Sequence, residues 1–186
     1  MFNYQLFNII TMKRVTSVGA AFALILSVSC KENKQKVTQQ SEKVQPETEV
    51  VQTSGTTFSN ETVSSLFNNY QELRAALVQS DAEQVQAIAA KIDNEVTAQQ
   101  ASLKSTTTAM AQESAIEKQR VLFSGLTEKM EPMFKESLAS GTMYKQFCPM
   151  AFEGKGGYWV STSEDIKNPY YGDKMLTCGK VVEVIQ

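Results

Sequence analysis

Cys148 and Met150 stand in "QFCPMAF" (146–152), and Met175 and Cys178 in "KMLTCG" (174–179). Each stretch sets a thiol within three residues of a thioether, in a chain of 186 residues that has no histidine. In an extended segment residues two apart point the same way, so Cys148 and Met150 are expected on one side of a strand. Pro149 between them stiffens the backbone and suits an edge or a turn. Met175 and Cys178, three apart, are expected to meet on one turn of helix or a tight loop. If the two segments pack together, two thiolates and two thioethers converge, and such soft sulfur selects Cu(I) over harder ions. Zinc is the poorer fit, because its structural sites take Cys, His or carboxylate. Lys145, Lys174 and Lys180 lie nearby in sequence and could lower the thiol pKa values. Met143, five residues before Cys148, is a reserve ligand. Two other readings compete for the same residues. A Cys148–Cys178 disulfide would close a loop of about 31 residues and stabilise by roughly 3–4 kcal/mol on the chain-entropy view. Inert buried thiols are the third.

Other chemistry is hard to build. Without histidine the usual Ser/His and Cys/His nucleophile pairs are missing, and Cys148 and Cys178 do not form a Cys-x-x-Cys redox pair. Glu153, Glu164, Asp165 and Asp173 are expected as solvated loop acids. "EGKGGYW" lacks the Gly-Lys-Ser/Thr ending of a phosphate loop. The reading is therefore non-enzymatic. The aromatics Phe147, Phe152, Tyr158, Trp159, Tyr170 and Tyr171 form either the core of a small sheet or, if Trp159 and its neighbouring tyrosines are exposed, a platform for a glycan or a partner protein.

The N-terminus bears on the redox compartment. Met12-Lys13-Arg14 is a short basic region, followed by the apolar run "VTSVGAAFALILSVS" up to Cys30. That is the layout of a bacterial secretory signal, too short to span a bilayer as a permanent helix. Small residues directly before Cys30 resemble a lipobox, with Ser27 standing where leucine is usual. Residues 1–29 are thus expected as a lipoprotein signal peptide, with Cys30 lipidated. Residues 1–11 fit no part of such a signal, which points to Met12 as the start of translation. Lys31 argues against inner-membrane retention, so the expected site is the outer membrane, facing the periplasm. Loss of Lys13 and Arg14 takes the formal charge from −2 to −4, which leaves no electrostatic footprint for nucleic acid. In that compartment Cys148 and Cys178 are free to pair.

The elements that must position the sulfur follow the tether. Residues 30–57 hold no aromatic, leucine or isoleucine and read as a disordered tether with a reach of roughly 30 Å. Residues 58–186 read as one domain. Val63, Leu66, Phe67, Tyr70, Leu73 and Leu77 mark the apolar face of a first helix. Ser80-Asp-Ala-Glu83 has capping-box spacing and opens a second, through Val85, Ile88, Ala89, Ile92 and Val96. "QQASLKSTTTAM" reads as a Thr-broken connection. A long helix from about Gln112 to Leu138 follows, kinked or divided by Pro132. Met110, Met130 and Met133 are expected as core filling. From residue 140 onward the composition changes, and "YKQFCPMAF", "GYWVS" and "KVVEVIQ" read as short strands. "KNPYYGD" is a turn that positions Met175 and Cys178. The fold class is α+β, mainly α: an antiparallel bundle of three helices, or four with a short extra one, and a small C-terminal antiparallel β region (140–186).

"MYKQFCPMAF…GGYWVS…DIKNPYYGDKMLTCGKVVE", preceded by "YQELRAALVQSDAEQVQAIAAKI" and "IEKQRVLFSGL", resembles an uncharacterised periplasmic domain family of Bacteroidota-type lipoproteins, also found fused to CusB-type heavy-metal efflux adaptors. The resemblance covers about residues 60–185. It implies a helical bundle that binds heavy metal, most plausibly copper, through Cys148, Met150, Met175 and Cys178, as a buffer, chaperone or accessory beside an efflux adaptor or other envelope protein. "CPM" is also similar to the Cys-Pro-Met of short metal-binding modules, which continue with histidine where this chain has Ala151. The competing reading is a disulfide-clamped, non-catalytic module that docks an envelope partner.

Overall fold

The structure, a computed structural model, describes residues 55–186. The expectations for residues 1–29, the Met12 start, Cys30 and nearly all of the tether fall outside that range. A first short strand, β1 (Thr57–Phe58), pairs antiparallel with β2 (Leu138–Ser140). Ordered pairing therefore begins at Thr57, within the segment expected to be tether.

Helix α1 (Glu61–Val78) starts at Asn60, whose side chain accepts from the Val63 amide at 3.1 Å, with Glu61 favourably placed in the first turn. Val63, Leu66, Phe67, Tyr70, Leu73 and Leu77 are all buried, as their spacing predicts. Helix α2 (Ala82–Glu95) is capped by Asp81, which accepts from the Gln84 amide at 2.9 Å. That corrects the capping box expected on Ser80. Ser80 instead takes the left-handed turn at the α1–α2 corner, with φ 58, and its hydroxyl accepts from Arg120 at 2.9 Å.

The Thr-rich connection is a helix, α3 (Ala101–Gln112), entered through a 3-10 turn at Ala98–Gln100. Threonine is a poor helix former because its hydroxyl competes for backbone groups and its χ1 is restricted. Here a partner on α2 takes up the hydroxyls: the Asp93 carboxylate accepts from Thr107 and from Thr108, each at 2.7 Å, and pairs with Lys104 at 2.9 Å. The hydrogen bond from Lys104 holds the Asp93 carboxyl below its ordinary pKa against the opposing effect of burial, and the two threonine hydroxyls add to the lowering. The bundle thus has four helices, the larger of the two expected numbers. Helix α4 (Ile116–Ser137) begins four residues later than expected and runs through Pro132 undivided. Met130 and Phe134, on either side of the proline, are fully buried, so packing offsets the missing hydrogen bond.

Successive helices pack as neighbours, and α4 closes back on α1. Inside, Tyr70 stacks on Phe123 with ring centroids 5.2 Å apart, and Phe67 meets Phe134 edge-on at 5.0 Å. Met110 and Met130 are core, as expected. The remaining strands form a sheet in the order β4 (Gly157–Ser161), β3 (Met143–Cys148), β5 (Lys180–Ile185), all antiparallel. Tyr70 joins sheet to bundle. Its hydroxyl bonds Thr127 at 2.8 Å and accepts from the Val160 amide at 3.1 Å, and burial pushes its pKa up to about 12 despite both bonds. Lys145 on β3 pairs with Glu131 of α4 at 2.8 Å, while Lys135 bridges Glu131 and Glu183, each at 2.8 Å. The fold is α+β and mainly α, and no helix among the described residues is long and apolar enough to cross a membrane.

Candidate thiol and soft-metal site

Cys148 is the last residue of β3, the central strand, and lies opposite Gly157 of β4. Its side chain is fully buried. The strand stops there, which corrects the expectation that it continues to Phe152. Pro149 and Met150 turn the chain, Met150 in right-handed helical conformation (φ −85, ψ −13), and Phe152 and Glu153 are both left-handed, with φ 52 and 59. The turn separates the two sulfurs that an extended strand would have aligned. Met150 is 54% exposed where Cys148 is buried.

Cys178 approaches from the other side, just before β5. The 3-10 turn Gly172–Met175 leads into it, and the Cys178 amide donates to the Met175 carbonyl at 3.0 Å, so Met175 and Cys178 share one turn as their spacing predicts. Gly179 brings this segment close to the sheet. A Cβ there would stand 3.0 Å from the Trp159 ring and 3.1 Å from the Phe147 carbonyl, and its φ of +151 disfavours other residues. The outcome is that the two Sγ atoms, thirty residues apart in sequence, lie 3.1 Å apart. Both are free thiols.

Three observations define the environment of the pair. The Cys178 thiol is raised above its ordinary pKa of 9.0, first by the hydrogen bond with Cys148, then by burial and the charge of Cys148, against the Met150 amide, which lowers it. None of those causes is a lysine. Lys145 is engaged by Glu131, and Lys174 reaches only Glu117, at 4.0 Å, in solvent. The expected lowering by lysine is therefore corrected for Cys178, whose thiol is raised instead. Met175 is 36% exposed on the turn before Cys178. Met143 is buried at the opposite end of β3, paired with Ile185. Five residues of strand put it about 16 Å from Cys148, so it is no co-ligand of that sulfur.

The residues that hold Cys178 in place were not singled out by their side-chain chemistry in the sequence. Asn168 is fully buried; its Nδ2 donates to the Cys178 carbonyl at 2.9 Å and its Oδ1 accepts from the Tyr170 amide at 2.8 Å. Arg120, on the inner side of α4, donates to the Pro169 carbonyl at 3.1 Å and to Ser80 at 2.9 Å. Gly172 lies against the same corner, where a Cβ would stand 2.6 Å from the Val78 carbonyl. The Tyr171 hydroxyl donates to the Met150 carbonyl at 2.7 Å, linking the two halves of the site. The sequence signals for them are the turn read in "KNPYYGD", which holds Asn168 and Gly172, and an arginine at a buried position in the α4 repeat, between Ile116 and Phe123.

Trp159 and Tyr170 are buried, and Trp159 meets Tyr170 edge-on at 5.9 Å. The condition for a glycan platform, exposure of Trp159 and its tyrosines, fails for these two; Tyr158 is 44% exposed and Tyr171 half-buried. Glu153, Glu164, Asp165 and Asp173 are exposed, as expected of loop acids.

Fold and site together describe a mainly helical α+β domain that carries a paired dithiol at one end of a small sheet. Residues 66–141 match the model of a family described as "Protein of unknown function (DUF3347)", which makes this part of the chain a domain of unknown function. The match spans most of α1, all of α2–α4 and β2, and it ends before Cys148. No curated protein and no solved structure matches the chain.

Proposed function

We propose that the domain is a non-catalytic binder of a soft metal ion, Cu(I) in preference, held between Cys148 and Cys178. In this reading it serves in the cell envelope as a buffer, chaperone or accessory to metal efflux, tethered to the outer membrane through lipidated Cys30. The observation that carries the proposal is the 3.1 Å approach of two free thiols at one end of the sheet, Cys148 buried and Cys178 half-buried. The donor set argues for softness. No group of three or more His, Cys, Asp or Glu side chains fit to hold a metal exists among the described residues, which disfavours zinc and harder ions. Two thiolates with thioether at hand match Cu(I). Met175, on the same turn as Cys178, and Met150, whose amide bonds Cys178, are the thioether candidates, both with exposed side chains. The partner is an efflux adaptor or another envelope protein able to exchange the ion, and nucleic acid is not one.

The same 3.1 Å gap favours a second reading, the disulfide-clamped docking module, because a small closure forms the bond. Anaerobic Cu(I) competition with the full-length chain, reduced and oxidised, separates the two. Metal binding predicts one tight equivalent in the reduced chain alone, lost when Cys148 and Cys178 are both replaced by serine. Affinity retained in the double variant would refute the site. No binding, together with no free Cys148 or Cys178 in protein taken directly from the envelope, would leave the clamp.

A further inference from the structure

We infer that Asn168 is the positioning residue of the dithiol site: its side-chain amide fixes the Cys178 main chain opposite Cys148 and so sets how readily the two sulfurs act together. The inference rests on the site proposed above but not on the metal that fills it.

Cys148 is held by the sheet, at the end of a strand that pairs on both sides. Cys178 has no such ladder, since β5 begins only at Lys180. The Cys178 sulfur meets Cys148 and the Met150 amide, and its main-chain carbonyl is held by the side-chain amide of Asn168, through the 2.9 Å bond from Nδ2. The amide is aimed by its other end. With Oδ1 committed to the Tyr170 amide at 2.8 Å, only Nδ2 can face Cys178. The turn around Asn168 is anchored independently of that side chain. The Asn168 amide donates to the Leu176 carbonyl at 2.8 Å, its carbonyl accepts from the Gly172 amide at 3.1 Å, and Arg120 grips the next carbonyl, that of Pro169, at 3.1 Å. An anchored base, a side-chain arm and a target outside the β-ladder are the parts of a positioning device. Two groups held together react as if each were present at high local concentration, and loosening either lowers that concentration.

The test is the thiol–disulfide equilibrium of the full-length chain in metal-free glutathione buffers, read at Cys148 and Cys178 by differential alkylation and peptide mapping. In this reaction the two thiols give two electrons and two protons to glutathione disulfide, which leaves as two molecules of glutathione. Asn168→Ser keeps a hydroxyl for the Tyr170 amide and every main-chain bond of the turn, but cannot reach the Cys178 carbonyl. It is expected to lower the equilibrium constant roughly five- to tenfold, the worth of one buried hydrogen bond. Asn168→Asp, isosteric but lacking the amide donor, is expected to do the same and carries the test if the serine variant does not fold. Thr127→Val, which removes a partner of Tyr70 inside the bundle, is the control: it should lower the melting temperature and leave the constant at the wild-type value. An unchanged constant in a folded Asn168 variant overturns the inference. So does an equal fall in Thr127→Val, which would mean general loosening. A chain that binds no Cu(I) yet shows the Asn168 effect would sink the metal reading alone.

Discussion

Replacing Arg120 by methionine removes a guanidinium that is 3% exposed and ties three elements together, α4, the α1–α2 corner and the 168–172 turn. The magnitude can be worked bond by bond. The pair with Glu117, at 2.8 Å, is the shortest contact, but Glu117 is 67% exposed, so it contributes under about 1 kcal/mol. The Leu77 carbonyl, at 3.4 Å, also accepts from the Ser80 amide at 3.1 Å and loses little. Ser80 is exposed and turns to water. The Pro169 carbonyl is the costly orphan, because it is buried and a charge-assisted bond to it is worth roughly 1.5–3 kcal/mol. Methionine fills the stem's volume, so the cavity term is small, and relief of the buried charge offsets part of the loss. The expected net is about 2 kcal/mol, a urea midpoint lower by roughly 1 M at an ordinary slope. Glu117→Gln should cost less than about 1 kcal/mol in the same assay. Equal losses for the two variants, or a loss below about 1 kcal/mol in Arg120→Met, would refute the assignment of the stabilisation to the buried Pro169 bond.

Gly172→Ala should destabilise by at least about 2 kcal/mol in thermal unfolding, because its φ is +57 and the new Cβ would stand 2.6 Å from the Val78 carbonyl and 2.8 Å from the Ser80 hydroxyl; an unchanged melting temperature would mean that the corner can move aside. Burial raises the Glu131 carboxyl, but hydrogen bonds from Lys135 and Lys145 outweigh it and hold the group below its ordinary 4.5. A depressed carboxyl contributes stability that is present above its unfolded value and lost as pH falls through its folded value. Glu131→Gln should therefore be less stable than wild type at neutral pH and show a shallower decline below pH 4.5 in urea midpoints, and parallel curves for the two proteins would rule the contribution out.

Reading the sequence succeeded where one local signal decided the structure. The apolar repeat of α1, from Val63 to Leu77, needed nothing beyond its own period, and "GYWVS", following the glycine-rich "EGKGG", located β4 to the residue. It failed where a distant partner overruled local preference. Thr106, Thr107 and Thr108 look like helix breakers until the Asp93 carboxylate of α2 is found beside the last two. Ser80 and Asp81 are both good caps, and which one caps α2 was settled by Arg120, forty residues away, taking the serine. At the site, the turn around Asn168 was legible in "KNPYYGD", but the β3–β5 register and the bond from the buried Asn168 amide to the Cys178 carbonyl have no sequence signature. The alignment of Met150 with Cys148 was lost to a turn that Pro149 only hinted at.

The sulfur gap limits what the pair can do. A disulfide is about 2.05 Å long, so bonding requires the Sγ atoms to close by roughly 1 Å from their separation of 3.1 Å. With metal–sulfur bonds of about 2.3 Å, a tetrahedral ion would hold the sulfurs about 3.8 Å apart, so binding requires them to open by roughly 0.7 Å. The two outcomes thus displace the same thiol in opposite directions. Cys148 is the fixed member, buried at the end of the central strand, and Cys178 must move. Its main-chain carbonyl is tethered by the Asn168 amide, a single bond at 2.9 Å that stretches more readily than a β-ladder breaks. Arg120 fixes the base of that tether to the bundle. Residues far from either sulfur therefore set the cost of both movements, and a substitution that loosens this base should affect metal capture and disulfide closure together.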